Sequence, residues 1–423
     1  MGAKYQALKG MDDLLPGEIE KWQWLESKAR IFLEAQGYKE IRTPLLEPLE
    51  LFTRTLGEGS DIVHKEMYAF KDRGGRDVTL RPEMTASVAR AVIENHLLKQ
   101  TGSLRLYYLG PMFRGERPQA GRKRQFHQIG IELVNEAGAD ADGEAISVLW
   151  RFLRYVGLEE TELRLNHLGC SKDRPRLVAS LKEYFTKAKE QLCGDCHYRL
   201  EKNVLRIFDC KEAGCQPVIQ KAPWEDFCKA CEENFTKLQD ELKKGQGIFY
   251  KIERRLVRGI DYYTGSVFEV ASPGLGAQDA VAGGGRYDDL YESLGGGRVP
   301  ATGFSIGVER LLQSLEAAKK DFLQVVRSRR IYFAVAGESE KLRTVSHEEM
   351  LRLREAGVAV EMTPGETSLS NHLKRANQLG VRYVLICGED EVKRNKMALK
   401  DLEKRTQQEF DLSDVSSVLR SLS

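Results

Sequence analysis

MFRGERPQAGRKRQFHQIGIELV, spanning Met112 to Val134, reads as two strands joined by a loop loaded with cations. In the second arm a two-residue period puts Phe126, Gln128, Gly130 and Glu132 on one face and His127, Ile129, Ile131 and Leu133 on the other. The Ile/Ile/Leu face suits a core. The opposite face sets a flat aromatic, an amide and a carboxylate two residues apart, a row of recognition groups. Between the arms, residues 114 to 124 carry Arg114, Arg117, Arg122, Lys123 and Arg124 against one acid, Glu116. Such a hairpin either faces water or grips a polyphosphate, because guanidinium groups pair with phosphate oxygens.

The chain around it has 423 residues, enough for roughly two to three domains. Lys+Arg 65 against Asp+Glu 63 is nearly balanced, so nucleic-acid binding would have to come from local patches. The start, MGAKYQALKGMDDLLP, lacks the apolar core of a signal peptide, and no apolar run is long enough to span a bilayer. A cytoplasmic protein without a membrane partner is expected. Pro16 and Gly17 open a helix in which Trp22, Leu25, Ala29, Phe32 and Leu33 recur at helical spacing, and Gly37 closes it. A strand over Lys39–Thr43 stops at Pro44. Val78–Arg81 reads as a strand, with Pro82 opening a helix whose first turn holds Glu83, Met84 and Thr85. An acid there suits the helix dipole on its own, or it binds an ammonium group at a pocket mouth.

From about Cys170 to Gly247 the chain is rich in Lys and Glu and holds seven of the eight cysteines, which marks an inserted module. Cys193-x-x-Cys196 and Cys228-x-x-Cys231 have chelate spacing, Cys210 and Cys215 form a looser pair, and 31 residues separate the two tight pairs. Two readings stand open: a structural Zn2+ at Cys193, Cys196, Cys228 and Cys231, or reduced, semi-buried thiols. Beyond it, Leu256–Val270 reads as two strand-like arms meeting around Asp261–Gly265, with Arg258 beside the Tyr262–Tyr263 pair. The glycine clusters in AGGGRYDDLYESLGGG, residues 282–297, match neither a P-loop nor a Rossmann fingerprint. Phe304–Gly307 reads as a strand, and the helix after it carries Arg310 in its first turn, where a cation opposes the dipole unless an anion is near. A basic linker, Lys319–Arg330, leads to alternating strands and helices that imply a mainly parallel sheet.

The hairpin FRGERPQAGRKRQFHQIGIE resembles motif 2 of class II aminoacyl-tRNA synthetases. GYKEIRTPLLEP resembles motif 1, and GFSIGVERL resembles motif 3. TLRPEMTAS and RGIDYYTGSVFE resemble segments of the histidyl-tRNA synthetase family in particular. The resemblance runs over nearly the whole chain in family order. It implies an α+β catalytic domain, an antiparallel sheet flanked by helices, over residues 1–169 and 248–322. It further implies a helical, Cys-rich insertion over 170–247 and a C-terminal α/β anticodon-binding domain over 330–423.

The implied activity is a histidine–tRNA ligase that makes histidyl-adenylate from L-histidine and ATP with Mg2+, then charges tRNA(His). By resemblance Arg114 and Arg258 are catalytic at the α-phosphate. Glu83, Met84, Thr85, Gln128, Glu132, Tyr262 and Tyr263 join them around histidine, Arg122, Phe126 and Arg310 bind ATP, and Gln119 and Arg124 touch the tRNA acceptor end. A homodimer is expected through motif 1. The competing expectation is a synthetase-like regulatory subunit of histidine biosynthesis. Such paralogues lack the C-terminal domain, whereas this chain continues for about ninety residues after the linker. A binding-only tRNA sensor is a third reading, which charging of tRNA by the purified protein would exclude.

Overall fold

The structure, a computed structural model, describes residues 5–57, 59–118, 121–245, 247–276, 279–318 and 330–422. Gln119 and nearly all of the expected linker lie outside the described residues. The chain divides into two compact units, residues 1–320 and 321–423.

In the first unit a helix over Ile19–Ala35 buries Trp22, Leu25, Ala29 and Leu33, one apolar stripe. Eleven strands follow among the described residues: β1 (Lys39–Glu40), β2 (Leu46–Pro48), β3 (Tyr68–Lys71), β4 (Asp77–Leu80), β5 (Leu104–Phe113), β6 (Gln125–Val134), β7 (Glu162–His167), β8 (Tyr250–Ile252), β9 (Thr264–Ala271), β10 (Ala280–Arg286) and β11 (Ala301–Gly307). Eight of them form one sheet in the order β1-β5-β6-β11-β10-β9-β7-β8, and β2-β4-β3 form a small second sheet. From β5 to β7 every pairing is antiparallel. At the two edges β1 joins β5 and β8 joins β7 in parallel, so the sheet is mixed rather than antiparallel throughout. Parallel pairing needs a long crossover, and residues 41–103 and 168–249 supply one at each edge.

Two local expectations are corrected. Of the two arms read in Leu256–Val270, only the second is a strand, β9. Successive side chains of a strand point to opposite faces. Tyr262 and Tyr263 instead line one cavity together, which irregular backbone allows. The helix expected from Pro82 begins at Thr85, because Glu83 stays outside it and caps it from the front.

The second unit holds β12 (Arg330–Ala336), β13 (Ala359–Glu361), β14 (Tyr383–Gly388), β15 (Lys396–Asp401) and β16 (Thr406–Asp411), in the order β13-β12-β14-β15-β16. β13, β12 and β14 run parallel, with helices Glu340–Glu355 and Leu369–Gln378 in the connections. The expected mainly parallel sheet is therefore only half present, since β14, β15 and β16 pair antiparallel. Their connections, residues 389–395 and 402–405, are too short for a crossover. β16, TQQEFD, is largely exposed and carries no apolar alternation to mark it. Ile331, Phe333 and Leu385 pack on one side of this sheet, Tyr332, Val384 and Ile386 on the other.

Candidate active site

The register of the large sheet builds a cavity floor from small residues. One row across the strands reads Tyr108, Gly130, Ser305, Gly283 and Glu269. A Cβ at Gly130 would stand 2.4 Å from the Tyr108 ring end and 2.6 Å from the Phe304 carbonyl oxygen, so only glycine fits there. A Cβ at Gly283 would stand 2.4 Å from the Arg258 guanidinium, which lies over that bare backbone. Above the floor is a chamber of about 150 Å³, lined among others by Glu83, Thr85, Arg114, Gln128, Arg258 and Tyr262. Tyr108, Tyr263, Tyr287 and Ser305 also line it.

Two acids and two arginines set its electrostatics. The Glu83 carboxylate accepts from the amides of Thr85 (2.7 Å) and Ala86 (2.9 Å) and from the Tyr262 hydroxyl (3.3 Å). A carboxylate has about four acceptor sites, so Glu83 caps its helix and keeps capacity for a further donor. Burial raises its pKa against the pull of the two amides. Glu132 stands behind the wall, only 1% exposed, and accepts from Thr85 Oγ1 at 2.7 Å and from the Tyr287 hydroxyl. Burial pushes its pKa up to about 8, opposed by those hydroxyl donors. Opposite the acids, Arg114 donates from Nε to the Pro82 carbonyl at 2.9 Å, and Arg258 donates to Glu269 at 2.8 Å. Gln128 donates to Ser305 Oγ at 3.3 Å. Burial pushes the Tyr263 hydroxyl up to about 12, so it stays a donor at neutral pH.

Other expected residues lie outward along the hairpin or fall elsewhere. The Arg114 guanidinium sits 5.1 Å from the centre of the Phe126 ring, a cation–π contact. Arg122 pairs with Glu116 at 3.1 Å. Burial lowers the pKa of Arg310, with the charge of Arg122 adding to the effect, so motifs 2 and 3 bring two cations into one neighbourhood. Arg124 closes the hairpin, its carbonyl accepting from the Arg114 amide at 2.8 Å. Met84 does not join the chamber lining; it is buried, its sulfur accepting from the Thr43 hydroxyl at 3.2 Å. Tyr108 and Tyr287 were not singled out from the sequence, and a two-residue period opposite Gly130 could have flagged Tyr108.

The two CxxC pairs do not meet, which corrects the single site read at Cys193, Cys196, Cys228 and Cys231. Cys193 and Cys196 gather with Cys210 and Cys215, while Cys228 and Cys231 gather with Cys170 and Asp173. Each pair starts its own helix, Gly194–Lys202 or Lys229–Asp240, and those starts lie beside different loops.

The family described as Histidyl-tRNA synthetase matches residues 10–189 and 218–311, and that described as Anticodon binding domain matches 331–422. The histidine–tRNA ligase of Desulfitobacterium hafniense is 42% identical, covering 98% of this chain and 97% of its own. That of Thermotoga maritima is also 42% identical, covering 96% of both chains. The structure of apo S. aureus histidyl-tRNA synthetase is similar with TM-score 0.78 and 28% identity, covering 99% of each chain. A Bacillus halodurans structure described as an ATP phosphoribosyltransferase regulatory subunit/histidyl-tRNA synthetase is similar with TM-score 0.66 and 25% identity, over 92% of this chain and 99% of that one.

Proposed function

The chain belongs to the histidyl-tRNA synthetase family, and from that premise we propose that the chamber over Gly130 and Gly283 is where histidine meets ATP. The reaction is that of a histidine–tRNA ligase: histidine and ATP give histidyl-adenylate and pyrophosphate, and the histidyl group then passes to the 3′ end of tRNA. The observation that carries the assignment is the pairing of charges. Glu83 keeps an acceptor for the ammonium group, while Arg114 and Arg258 line the same small chamber and suit the carboxylate and phosphate.

In this reading a histidine carboxylate oxygen attacks the α-phosphorus in line. The bond from that phosphorus to the bridging oxygen breaks, and pyrophosphate leaves with the electron pair. Arg114 and Arg258 neutralise the charge that builds on the α-phosphate by standing in place beforehand, with no covalent step on the protein. Gln128 and Thr85 orient the amino acid. Tyr262 and Tyr263 face the imidazole, and Glu132 fixes the hydroxyls of Tyr287 and Thr85 from behind. A site whose buried polar groups stay unpaired with any other side chain discriminates strongly. Arg122 and Arg310 take the outer phosphates, Phe126 stacks on adenine, and Arg124 lies toward the tRNA acceptor end. Glu269 and Asp279, which bond Arg258 and Arg164, are the carboxylates that would hold magnesium brought with the nucleotide, and the ion would offset phosphate charge.

The second unit, by its match to anticodon-binding domains, reads tRNA. We assign residues 170–247 to an insertion module. A homodimer forms through the motif 1 segment, where Leu45, Leu46 and, on β3 of the same small sheet, Phe70 are exposed. Among the described residues no helix is long and apolar enough to cross a membrane, and we place the reaction in the cytoplasm. The Bacillus halodurans likeness favours a second reading, histidine sensing without ligation, against which the anticodon-binding match over 331–422 weighs. A crystal structure with histidine and a non-hydrolysable ATP analogue tests the assignment. The α-phosphate is expected between Arg114 and Arg258, and histidine bound outside the chamber refutes it.

A further inference from the structure

We propose that the insertion holds two separate tetrahedral zinc centres, one of four cysteines and one of three cysteines and an aspartate. The eight cysteines are free thiols, and seven of them fall into the two clusters, each with four ligand atoms within 4.8 Å of one another. A tetrahedral zinc with Zn–S bonds near 2.3 Å places its sulfurs about 3.8 Å apart. Cys193 Sγ and Cys210 Sγ are 3.8 Å apart, and Cys170 Sγ and Cys228 Sγ are 4.0 Å apart. A sulfur and a carboxylate oxygen on the same ion stand about 3.5 Å apart, and Cys170 Sγ and Asp173 Oδ2 are separated by 3.4 Å.

The two centres repeat one local device. Cys193 and Cys228 are both N-cap residues in extended conformation, at φ −74°, ψ 166° and φ −65°, ψ 155°. The second cysteine of each pair then lies in the first turn of the helix that follows. The surrounding bonds are those that orient ligands. The Cys193 amide donates to Cys215 Sγ at 3.2 Å and the Lys172 amide to Cys170 Sγ at 3.4 Å. Asp173 turns Oδ1 to the Cys228 amide (3.0 Å) and to Arg176 (2.7 Å), leaving Oδ2 toward Cys170. Four protein ligands close each coordination sphere, so both centres are structural.

Their place gives them a consequence, which rests on the chamber being the catalytic site. Arg174, next to Asp173, donates to the carbonyls of Asp261 and Tyr263, both at 3.0 Å. Asn203, after the helix that Cys193 starts, bonds the Asp261 side chain, and Arg199 of that helix bonds Asp61 at 3.1 Å. The metal centres thereby brace the loop that carries Arg258, Tyr262 and Tyr263.

Metal analysis of the full-length protein from zinc-replete cells tests the proposal independently of activity. Two zinc ions per chain are expected, falling to one in Cys215→Ser and to one in Cys228→Ser. X-ray absorption should show about seven sulfurs and one oxygen shared between the two ions at Zn–S near 2.3 Å. One zinc or none in the parent, iron in place of zinc, or two zincs kept by either variant overturns it. Chelation should also lower histidine-dependent pyrophosphate exchange at least tenfold, restored by zinc. Two zincs with unchanged exchange after their removal would leave the centres standing and overturn the bracing alone.

Discussion

Replacing Arg258 with alanine separates its role in chemistry from its role in the fold. Its guanidinium pairs with Glu269 at 2.8 Å, with about a quarter of the side chain exposed (23%). Glu269 keeps a second cation, Arg164 at 3.6 Å, so the substitution does not strand a buried charge. Losing a charged hydrogen bond in such a mostly buried pair costs about 1.5–3 kcal/mol. An arginine aimed at a phosphoryl group in its transition state is worth about 10³ or more in rate, or roughly 4 kcal/mol. The expected variant therefore melts within a few degrees of the parent and forms histidyl-adenylate about a thousandfold more slowly in single-turnover quench-flow. A single-turnover rate within tenfold of the parent refutes the placement of Arg258 at the α-phosphate. Loss of the folded state refutes the accounting for Glu269.

Four further outcomes follow from named contacts. Gly283→Ala puts a Cβ 2.4 Å from the Arg258 guanidinium, a movable side-chain end, so the fold should persist while adenylate formation drops at least tenfold, read by pyrophosphate exchange and circular dichroism. Glu132 has its pKa raised from 4.5 to about 8, so between those values the folded chain holds a proton that the unfolded chain has released. Its contribution to stability is full below pH 4.5 and is lost as pH rises through about 8; melting from pH 6 to 9 should show this component in the parent and not in Glu132→Gln. Asp142→Ala takes from the buried Arg286 its partner at 2.7 Å but leaves it Asp288 at 2.9 Å, and should cost about 1.5–3 kcal/mol in denaturant unfolding. Light scattering should give twice the chain mass of 47.9 kDa, and Leu46→Glu should shift it toward one chain.

Much of this was legible in local pattern. The period of two in Phe126–Leu133 placed Gln128 and Glu132 on one face of β6, and capping residues marked the helix Ile19–Ala35. What pattern could not show is which distant segments converge. Glu132 reads as a row member, yet its carboxylate lies over the bare Cα of Gly303, its partner on β11, where a Cβ would stand 2.3 Å away. The glycines of β10 match no nucleotide-binding fingerprint and prove to be part of a strand, where the missing Cβ of Gly283 makes room for Arg258. The cysteine pairs have the right internal spacing for a chelate, but the choice of partners is tertiary: spacing marks Cys210 and Cys215 as a looser pair without joining them to Cys193 and Cys196, and it gives no sign of Cys170 and Asp173. In the second unit the parallel pairing stops at β14, because the helix after it, Glu389–Lys393, is too short for a crossover, and a short polar strand such as β16 has no periodicity to announce it.

The central claim is that this chamber activates histidine and no other amino acid. Pyrophosphate exchange into ATP, measured on the purified parent chain with each of the twenty amino acids in turn, tests it most directly. Exchange with histidine alone is predicted. No exchange with any amino acid, or exchange driven as well by another side chain, contradicts it.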